Sequence, residues 1–386
     1  MYSAYYDDRE KFGNKSFVRI IGLMDTIGKT NEFICKLWFK TGEEKVAISN
    51  IDVEEIWDFY PKKEAWGTII ITCQIHQANY GHIPFAVSVT DNSCHSLTNL
   101  MRVDYLQPQN NSKQNFGVCV KGLDFPFQDV SIKIVEWLEL LFILGVGKVY
   151  FYTHNLHPNI SKVLQHYEKK GKVEAVPINL PGGQPDSPQG VHELMEIQTR
   201  DKRAQEKLHF QDCFYKNMYK YRYIAILDTD EVIVPRKVKY WGELLDIYES
   251  QQRSKNCTCA YTFNRTISLD SMRQAHVEYD SHVPEYMNML QNVYRSPLYE
   301  TLPKYIADTD HIVGLGNHRP MTCKRECKIL SVPVDVAHTV HFRAFCKAGR
   351  NKMCDAKAAI PDLILLRYQD PLVERVTSSL KALQLL

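Results

Sequence analysis

At 386 residues the chain exceeds one typical domain and has ample length for a real core, so two domains are expected. Lysine and arginine number 47 against 45 acids, and a net charge of +2 excludes the basic footprint of a nucleic-acid binder. No stretch reaches 18 apolar residues and the opening Met-Tyr-Ser-Ala-Tyr-Tyr-Asp-Asp is no signal peptide, so the chain as written reads as soluble.

Residues 1–110 carry short β-rich runs, such as Thr68 to Thr72 and Pro84 to Val89, separated by turn residues; their spacing predicts a small antiparallel domain. The polar stretch from Gln107 to Asn115 reads as a linker. From 111 to 386 the pattern alternates. Gly117 to Val120 is a strand, and Asp129 can cap a helix whose apolar positions Ile134, Trp137, Leu138, Leu141 and Phe142 recur at helical spacing until Gly145 closes it. Val149 to Tyr152 is the next strand, followed by a polar helix from Ile160 to Lys170 and a strand from Val173 to Ile178. A loop rich in Pro and Gly, from Pro181 to Gly190, precedes a helix through Leu208, Phe214 and Met218. Strand and helix in alternation predict an α/β fold, a mainly parallel sheet with helices on both faces.

The next strand is the most informative segment. Ile224-Ala225-Ile226-Leu227 is apolar throughout, as in a strand buried on both faces, and it ends in Asp228-Thr229-Asp230 before a second apolar run, Val232-Ile233-Val234. Unpaired carboxylates at a buried strand end would cost several kcal/mol, so they meet a cation or stay at the wet carboxyl edge, where α/β folds bind ligands. An Asp-x-Asp there can hold a divalent metal whose other face takes a diphosphate. Asp is also common in plain turns; the flanking strands and the further acid Glu231 favour a site.

Of the 11 cysteines, six fall late, at Cys257, Cys259, Cys323, Cys327, Cys346 and Cys354. Their spacing suits zinc poorly, and disulfides in an oxidising lumen are expected, with at least one thiol left over from an odd count. Asn-x-Ser/Thr sequons at Asn14, Asn110, Asn159, Asn256 and Asn264 point the same way, towards the secretory pathway and an incomplete amino terminus. The 22 tyrosines suit carbohydrate or nucleotide stacking, or simply half-buried faces.

The run Gln211-Asp-Cys-Phe-Tyr-Lys-Asn-Met218, the segment from Tyr223 to Arg236 and Trp241 resemble the core of glycosyltransferase family 92. Val135 to Leu140, Leu144-Gly145-Val146, Met289 to Ser296, Gly316-Asn317-His318-Arg319-Pro320 and His341-Phe342-Arg343 are similar to its other blocks, in order, over roughly residues 117 to 350. His341-Phe342-Arg343 stands where the family has His-Tyr-Arg. The resemblance implies a GT-A fold, a galactosyltransferase activity using UDP-galactose, a glycan acceptor, and a Golgi-lumenal enzyme on a single-pass type II anchor that this chain lacks. It also implies a late histidine as third metal ligand, with His341 preferred and His318 as its rival.

Transfer from a nucleotide sugar builds negative charge on the leaving diphosphate, which Mn²⁺ or Mg²⁺ can neutralise. The expected ligands are Asp228 and Asp230, with Asp228 shared with the ribose or a water. Lys121, at a strand end, can meet uracil or phosphate, and Asp212 and Gln205 can orient the nucleotide; each is equally at home on a solvated or polar face. An inverting reaction needs a base, for which Asp270, Glu278, Asp280 and Glu285 are candidates and Asp270 the choice. Two other classes compete: a haloacid-dehalogenase-type phosphatase with Asp228 as nucleophile, although its motif normally lies on a first strand, and an inactive carbohydrate-binding homologue.

Overall fold

The computed structural model describes all residues except 10–14, 25–32, 42, 57–65, 77–78, 80–81, 92–97, 107–111, 181–183, 251–256, 276–282, 324–326 and 347–352. The first seven strands are β1 (Ser3–Asp7), β2 (Phe17–Met24), β3 (Ile34–Thr41), β4 (Glu43–Ile56), β5 (Gly67–Gln74), β6 (Ala86–Thr90) and β7 (Met101–Arg102). They form one sheet in the order β1-β2-β5-β4-β3-β6-β7, every ladder antiparallel. Its two faces differ because side chains alternate along a strand. Ala4, Tyr6, Val18, Ile20, Ile69 and Ile71 enter the sheet's own core with Leu37 and Phe39. Their neighbours Tyr5, Ile21 and Ile70 point the other way, into a core shared with the rest of the chain.

Beyond β7 come β8 (Gln114–Phe125), α1 (Ser131–Leu144), β9 (Val146–Leu156), α2 (Pro158–Lys169), β10 (Val173–Pro177), α3 (Pro188–Ile197), α4 (Thr199–Asn217) and β11 (Tyr221–Leu227). They lead to β12 (Glu231–Pro235), α5 (Trp241–Glu249), β13 (Thr258–Leu269), α6 (Asp270–Ala275), α7 (Asn288–Gln291), β14 (Tyr294–Arg295) and β15 (Glu300–Asp308). The chain ends with β16 (Ile312–Leu315), β17 (Pro320–Cys323), β18 (Lys328–Val332), β19 (Ala337–Arg343), β20 (Ile360–Pro361) and α8 (Gln369–Ala382). The large sheet has nine strands, ordered β10-β9-β8-β11-β15-β13-β19-β12 with β18 beside β13. The four from β10 to β11 are mutually parallel. β15 then runs antiparallel to both β11 and β13, and β12 antiparallel to β19. The result is the GT-A-type α/β arrangement, preceded by a β-rich sheet: the ladders from β10 to β11 are parallel, those on either side of β15 are antiparallel, and β13 is parallel again to β18 and β19.

Helices cover both faces. α1 and α8 pack on one, where Val118, Val149, Phe151, Ala225 and Leu227 point. α4 covers the other, where Cys119, Tyr150, Tyr152, Ile224 and Ile226 meet Phe210 and Phe214. α4 is in turn the helix on which the N-terminal sheet sits through Tyr5, Ile21, Ile56 and Ile70. The two sheets therefore share one apolar layer, although the chain passes between them after Arg102 and before Gln114. Local signals account for the helix ends. Gly145 takes φ 108° and closes α1, with its N–H donating to Leu141 and Phe142 carbonyls. Asp129 accepts from the Ser131 N–H at 3.0 Å, although the cap position itself is Val130. α3 begins at Pro188, inside the stretch expected to be loop, with the Ser187 hydroxyl accepting from the Gly190 N–H.

Polar contacts fasten the shared layer. Asp7 is fully buried and paired with Arg9, Nε to Oδ1 at 2.7 Å and Nη2 to Oδ2 at 2.7 Å, while Arg19 approaches Oδ2 at 3.3 Å. The other guanidinium nitrogen of Arg9 donates to the carbonyls of Thr309 at 2.5 Å and Ile312 at 2.8 Å, which ties the first sheet to the loop after β15.

Five disulfides are present: Cys35–Cys73, Cys119–Cys213, Cys257–Cys327, Cys259–Cys323 and Cys346–Cys354. All six late cysteines are thus paired with one another, and Cys94, the eleventh, lies outside the described residues. Cys257 and Cys327 also lie near His311, but their sulfurs are bonded to each other and are not free metal ligands. Of the sequons, Asn264 sits within β13 and Asn159 opens α2, its Nδ2 donating to Asp129 at 2.6 Å; Asn14, Asn110 and Asn256 lie outside the described residues. Among the described residues no helix is long and apolar enough to cross a membrane.

Two outcomes follow. Peptide mapping without reduction should recover these five cystines; free thiols at the six late positions in protein from secreting cells would contradict the pairing. Asp7→Asn should cost about 3–5 kcal/mol in urea unfolding, because it leaves buried guanidinium groups uncompensated. Burial pushes the Asp7 carboxyl up, but Arg9 and Arg19 outweigh it and hold its pKa at about 2, below the ordinary 3.8. The pair's contribution is therefore complete above the ordinary value and fades as pH falls through about 2. The gap between wild type and variant should narrow over that window, and a gap that stays constant would contradict the ion pair.

Candidate active site

The Asp-x-Asp segment is a tight turn between β11 and β12. The Glu231 N–H donates back to the Asp228 carbonyl at 3.1 Å, and the Asp228 N–H donates to Glu231 Oε2 at 3.2 Å. β12 pairs with β19 so that Glu231 faces His341, and the Phe342 N–H donates to the Asp230 carbonyl at 2.8 Å. This register brings His341 Nε2 to 3.0 Å from Asp230 Oδ2, across a separation of 111 residues.

The two carboxylates of the turn face different neighbours. Asp228 looks towards β8 and β15: Lys121 Nζ lies 3.2 Å from Oδ1 and Lys304 Nζ 3.3 Å from Oδ2. Burial pushes its carboxyl pKa up, but the two ammonium groups outweigh this and hold it well below the usual carboxylate range. Asp230 looks towards β19, and its side chain is 48% exposed.

Behind the turn is a buried network. Lys304, fully buried, lies 3.0 Å from Glu231 Oε2 and donates to Asn317 Oδ1 at 2.7 Å. Arg265 reaches Glu231 Oε1 at 2.5 Å and pairs with Glu300. Lys304 leads the groups that hold the Glu231 carboxyl below its ordinary value against the upward push of burial. Asp228, Glu231 and Glu300 thus each meet a fixed cation, whereas Asp230 meets an imidazole. That leaves an exposed carboxylate beside an imidazole nitrogen, a donor pair that fits a divalent cation. Carboxylate oxygens with one imidazole suit Mn²⁺ more readily than Mg²⁺, which prefers oxygen alone.

The turn opens on a cleft of ≈ 540 Å³. Lys121 and Gly122, within β8 and not at its end, line it with Phe127 beyond the strand, and so do Asp270 after β13, Arg343 at the end of β19 and Phe345 beyond it. Glu136, buried in α1, secures another part of the wall: its two carboxylate oxygens accept from the one N–H of Met289, which lines the cleft, at 2.9 and 3.0 Å.

The structure therefore brings together Lys121, Asp228, Asp230, His341 and Asp270. Asp270 opens α6, and its Oδ1 accepts from Asn292 Nδ2 at 3.2 Å. It does not bring Asp212 and Gln205 to the cleft. Both oxygens of Asp212 accept phenol hydroxyls, Tyr5 at 2.7 Å and Tyr152 at 2.6 Å, so this carboxylate joins the N-terminal sheet to β9. Gln205 is buried in α4 and is not part of the cleft lining, whereas the adjacent Glu206 reaches 3.6 Å from Lys121. His318 lies 3.4 Å from the Pro303 carbonyl, with its pKa pushed down to about 4 by burial and the nearby Lys304 and Arg265. Glu285 is exposed in the turn before α7, and Glu278 and Asp280 lie outside the described residues. Sequence reasoning missed Lys304, Arg265 and Glu206; the available signal was a lysine inside an otherwise apolar strand, Tyr305-Ile306-Ala307 following it.

Lys304→Met should lower unfolding free energy by about 3–5 kcal/mol, since it strands two carboxylates. Combined with Glu231→Gln, the loss should be smaller than the sum of the single losses; additivity within about 0.5 kcal/mol in a double-mutant cycle would show that the pair is not coupled.

Comparison with known proteins agrees with the geometry. The family model for glycosyltransferase family 92 matches residues 114–375. Beta-1,4-galactosyltransferase galt-1 of Caenorhabditis elegans is 23% identical over 241 residues, 61% of this chain and 51% of that protein, so the chain spans about half the length of the curated relative it matches. Among solved structures, S. aureus TarS 1-349 in complex with UDP is 11% identical at a TM-score of 0.29, covering 60% of this chain and 61% of that one. A putative glucose-1-phosphate thymidylyltransferase from Bacillus anthracis in complex with a sucrose is 8% identical at a TM-score of 0.28, covering 60% and 89%. Scores this low carry nothing about activity. With the family model spanning both the Asp-x-Asp turn and the strand that supplies His341, the chain belongs to glycosyltransferase family 92.

Proposed function

We propose that the protein is a metal-dependent, inverting glycosyltransferase that moves galactose from UDP-galactose to a glycan acceptor. The observation that carries this reading is the Asp228-Thr229-Asp230 turn with His341 3.0 Å from Asp230 at the wall of the cleft. Galactose is taken from the name of the nematode relative. The five disulfides support an oxidising lumen, that of the Golgi, and a type II anchor belongs to the same proposal.

In this reading Asp230 and His341, with Asp228 behind them, hold Mn²⁺, which when bound supplies the Lewis acidity that neutralises the departing diphosphate. Lys121, partly exposed beside Asp228, offers an ammonium group to a phosphate oxygen or the uracil. Asp270, held by Asn292, takes the proton from the acceptor hydroxyl. The freed oxygen forms a bond to the anomeric carbon on the face opposite the diphosphate. The bond from that carbon to the diphosphate oxygen breaks, and its electron pair leaves with UDP. Configuration inverts because one displacement occurs.

A panel of UDP-sugars with Mn²⁺ should show UDP release, fastest from UDP-galactose and abolished by EDTA. Asp230→Asn should reduce the rate by at least about a hundredfold with its unfolding midpoint preserved, since it removes one charged ligand at constant volume. Near wild-type turnover of that variant at saturating Mn²⁺ would refute the metal grip, and retention of configuration in the product would refute the role of Asp270.

A further inference from the structure

The cleft has two sides that the Asp-x-Asp turn itself distinguishes. Asp228 faces Lys121 of β8, and Asp230 faces His341 and Phe342 at the end of β19. β13 and β19 are parallel neighbours, with Leu269 opposite Arg343, so both chains leave the sheet at the same edge. The residues that follow, Asp270 after Leu269 and Ala344-Phe345 after Arg343, line the cleft together. Phe345 is 83% exposed, more than any other large apolar side chain described. The aromatic residue after β8, Phe127, differs from it: although 64% exposed, its ring meets the edge of His192, which is fixed by Asp124 at 2.8 Å. No ring contact to Phe345 is found among the described residues. Its backbone is nonetheless tethered, because Cys346 is joined to Cys354.

We infer that Phe345 is the stacking platform for the terminal pyranose of the glycan acceptor, on the side of the cleft that carries Asp270. The inference rests on the glycosyltransferase reading above. A pyranose presents an apolar face of C–H groups and a rim of hydroxyls. A phenyl ring in the cleft that Asp270 and Arg343 also line matches both, ring to face and polar groups to rim. The disulfide next to the ring reduces the ordering needed when a sugar arrives. Asp270 lies on the same side, so a sugar seated on Phe345 directs a hydroxyl towards the proposed base. Phe345 is thus a specificity residue for the acceptor, whereas the opposite side, with Lys121, is left to the donor.

The test uses the full chain with Mn²⁺, UDP-galactose and methyl glycosides of the common hexoses, 6-deoxyhexoses and N-acetylhexosamines as acceptors. With the best acceptor, Phe345→Ala should raise the acceptor KM roughly tenfold while the donor KM moves less than about twofold. Phe345→Trp should restore the acceptor KM. An acceptor KM that Phe345→Ala leaves in place, or a donor KM that rises as much, overturns the inference; the second result would assign the ring to the nucleotide. If the wild type releases UDP but transfers to none of these glycosides, the inference also fails. If it releases no UDP from any UDP-sugar, the enzyme reading itself falls. Saturation-transfer NMR with the same glycosides then decides for Phe345 alone: contact in the wild type and its loss in Phe345→Ala support the platform, and no contact in the wild type rejects it.

Discussion

Lys304 is the interaction on which the rest of the site depends. A turn carrying Asp228 and Asp230 directly before the buried Glu231 concentrates negative charge at the end of a hydrophobic strand, where isolated ions are not tolerated. One fully buried ammonium group answers two of these carboxylates, and Arg265 completes the second with Glu300 behind it. The neutralisation is uneven. It stops at Asp230, whose partner is an imidazole, so the turn is held rigidly from behind while one acid faces the cleft. Rigid support with one open position is what distinguishes a ligand site from a structural salt-bridge cluster.

The N-terminal sheet contributes to the same rigidity from a distance. Its outer face rests on α4, and α4 is bonded to β8 through Cys119–Cys213. β8 carries Lys121 and α4 carries Glu206, so the cation beside Asp228 is placed by two elements that a disulfide joins. Asp212 adds Tyr5 from β1 and Tyr152 from β9 to that joint. The front sheet is better understood as a brace under the Lys121 side of the cleft than as an appended module.

Much of this was legible along the chain because it is encoded locally. The alternation of apolar strands with helices, Gly145 at the end of α1 and the apolar run into Asp228 all follow from short-range periodicity and backbone preference. The site was legible only in part. Asp228 and Asp230 announce themselves by position, but Lys304 meets Asp228, and Arg265 with Glu300 behind it meets Glu231, through pairings that span tens of residues and leave no periodic trace. Asp212 illustrates the converse. Its place on the helix before the Asp-x-Asp strand suggested the nucleotide, yet its carboxylate is shared by two tyrosines from different strands, Tyr5 and Tyr152. The loop before α4 concealed α3 because Pro188 at a first helical turn reads equally well as a turn residue. The antiparallel ladders at β15 and between β12 and β19 were hidden for the same reason as Lys304, since strand direction is decided by distant partners.

The central claim is that Asp230 and His341 share one divalent cation in the presence of UDP. Pulsed electron paramagnetic resonance of the Mn²⁺–UDP complex measures this directly, because a bound imidazole nitrogen modulates the echo decay of the metal. The account predicts one imidazole coupling in the wild type, its loss in His341→Ala and its persistence in His318→Ala. A wild-type complex with no nitrogen coupling, or a coupling that survives in His341→Ala and disappears in His318→Ala, would contradict it.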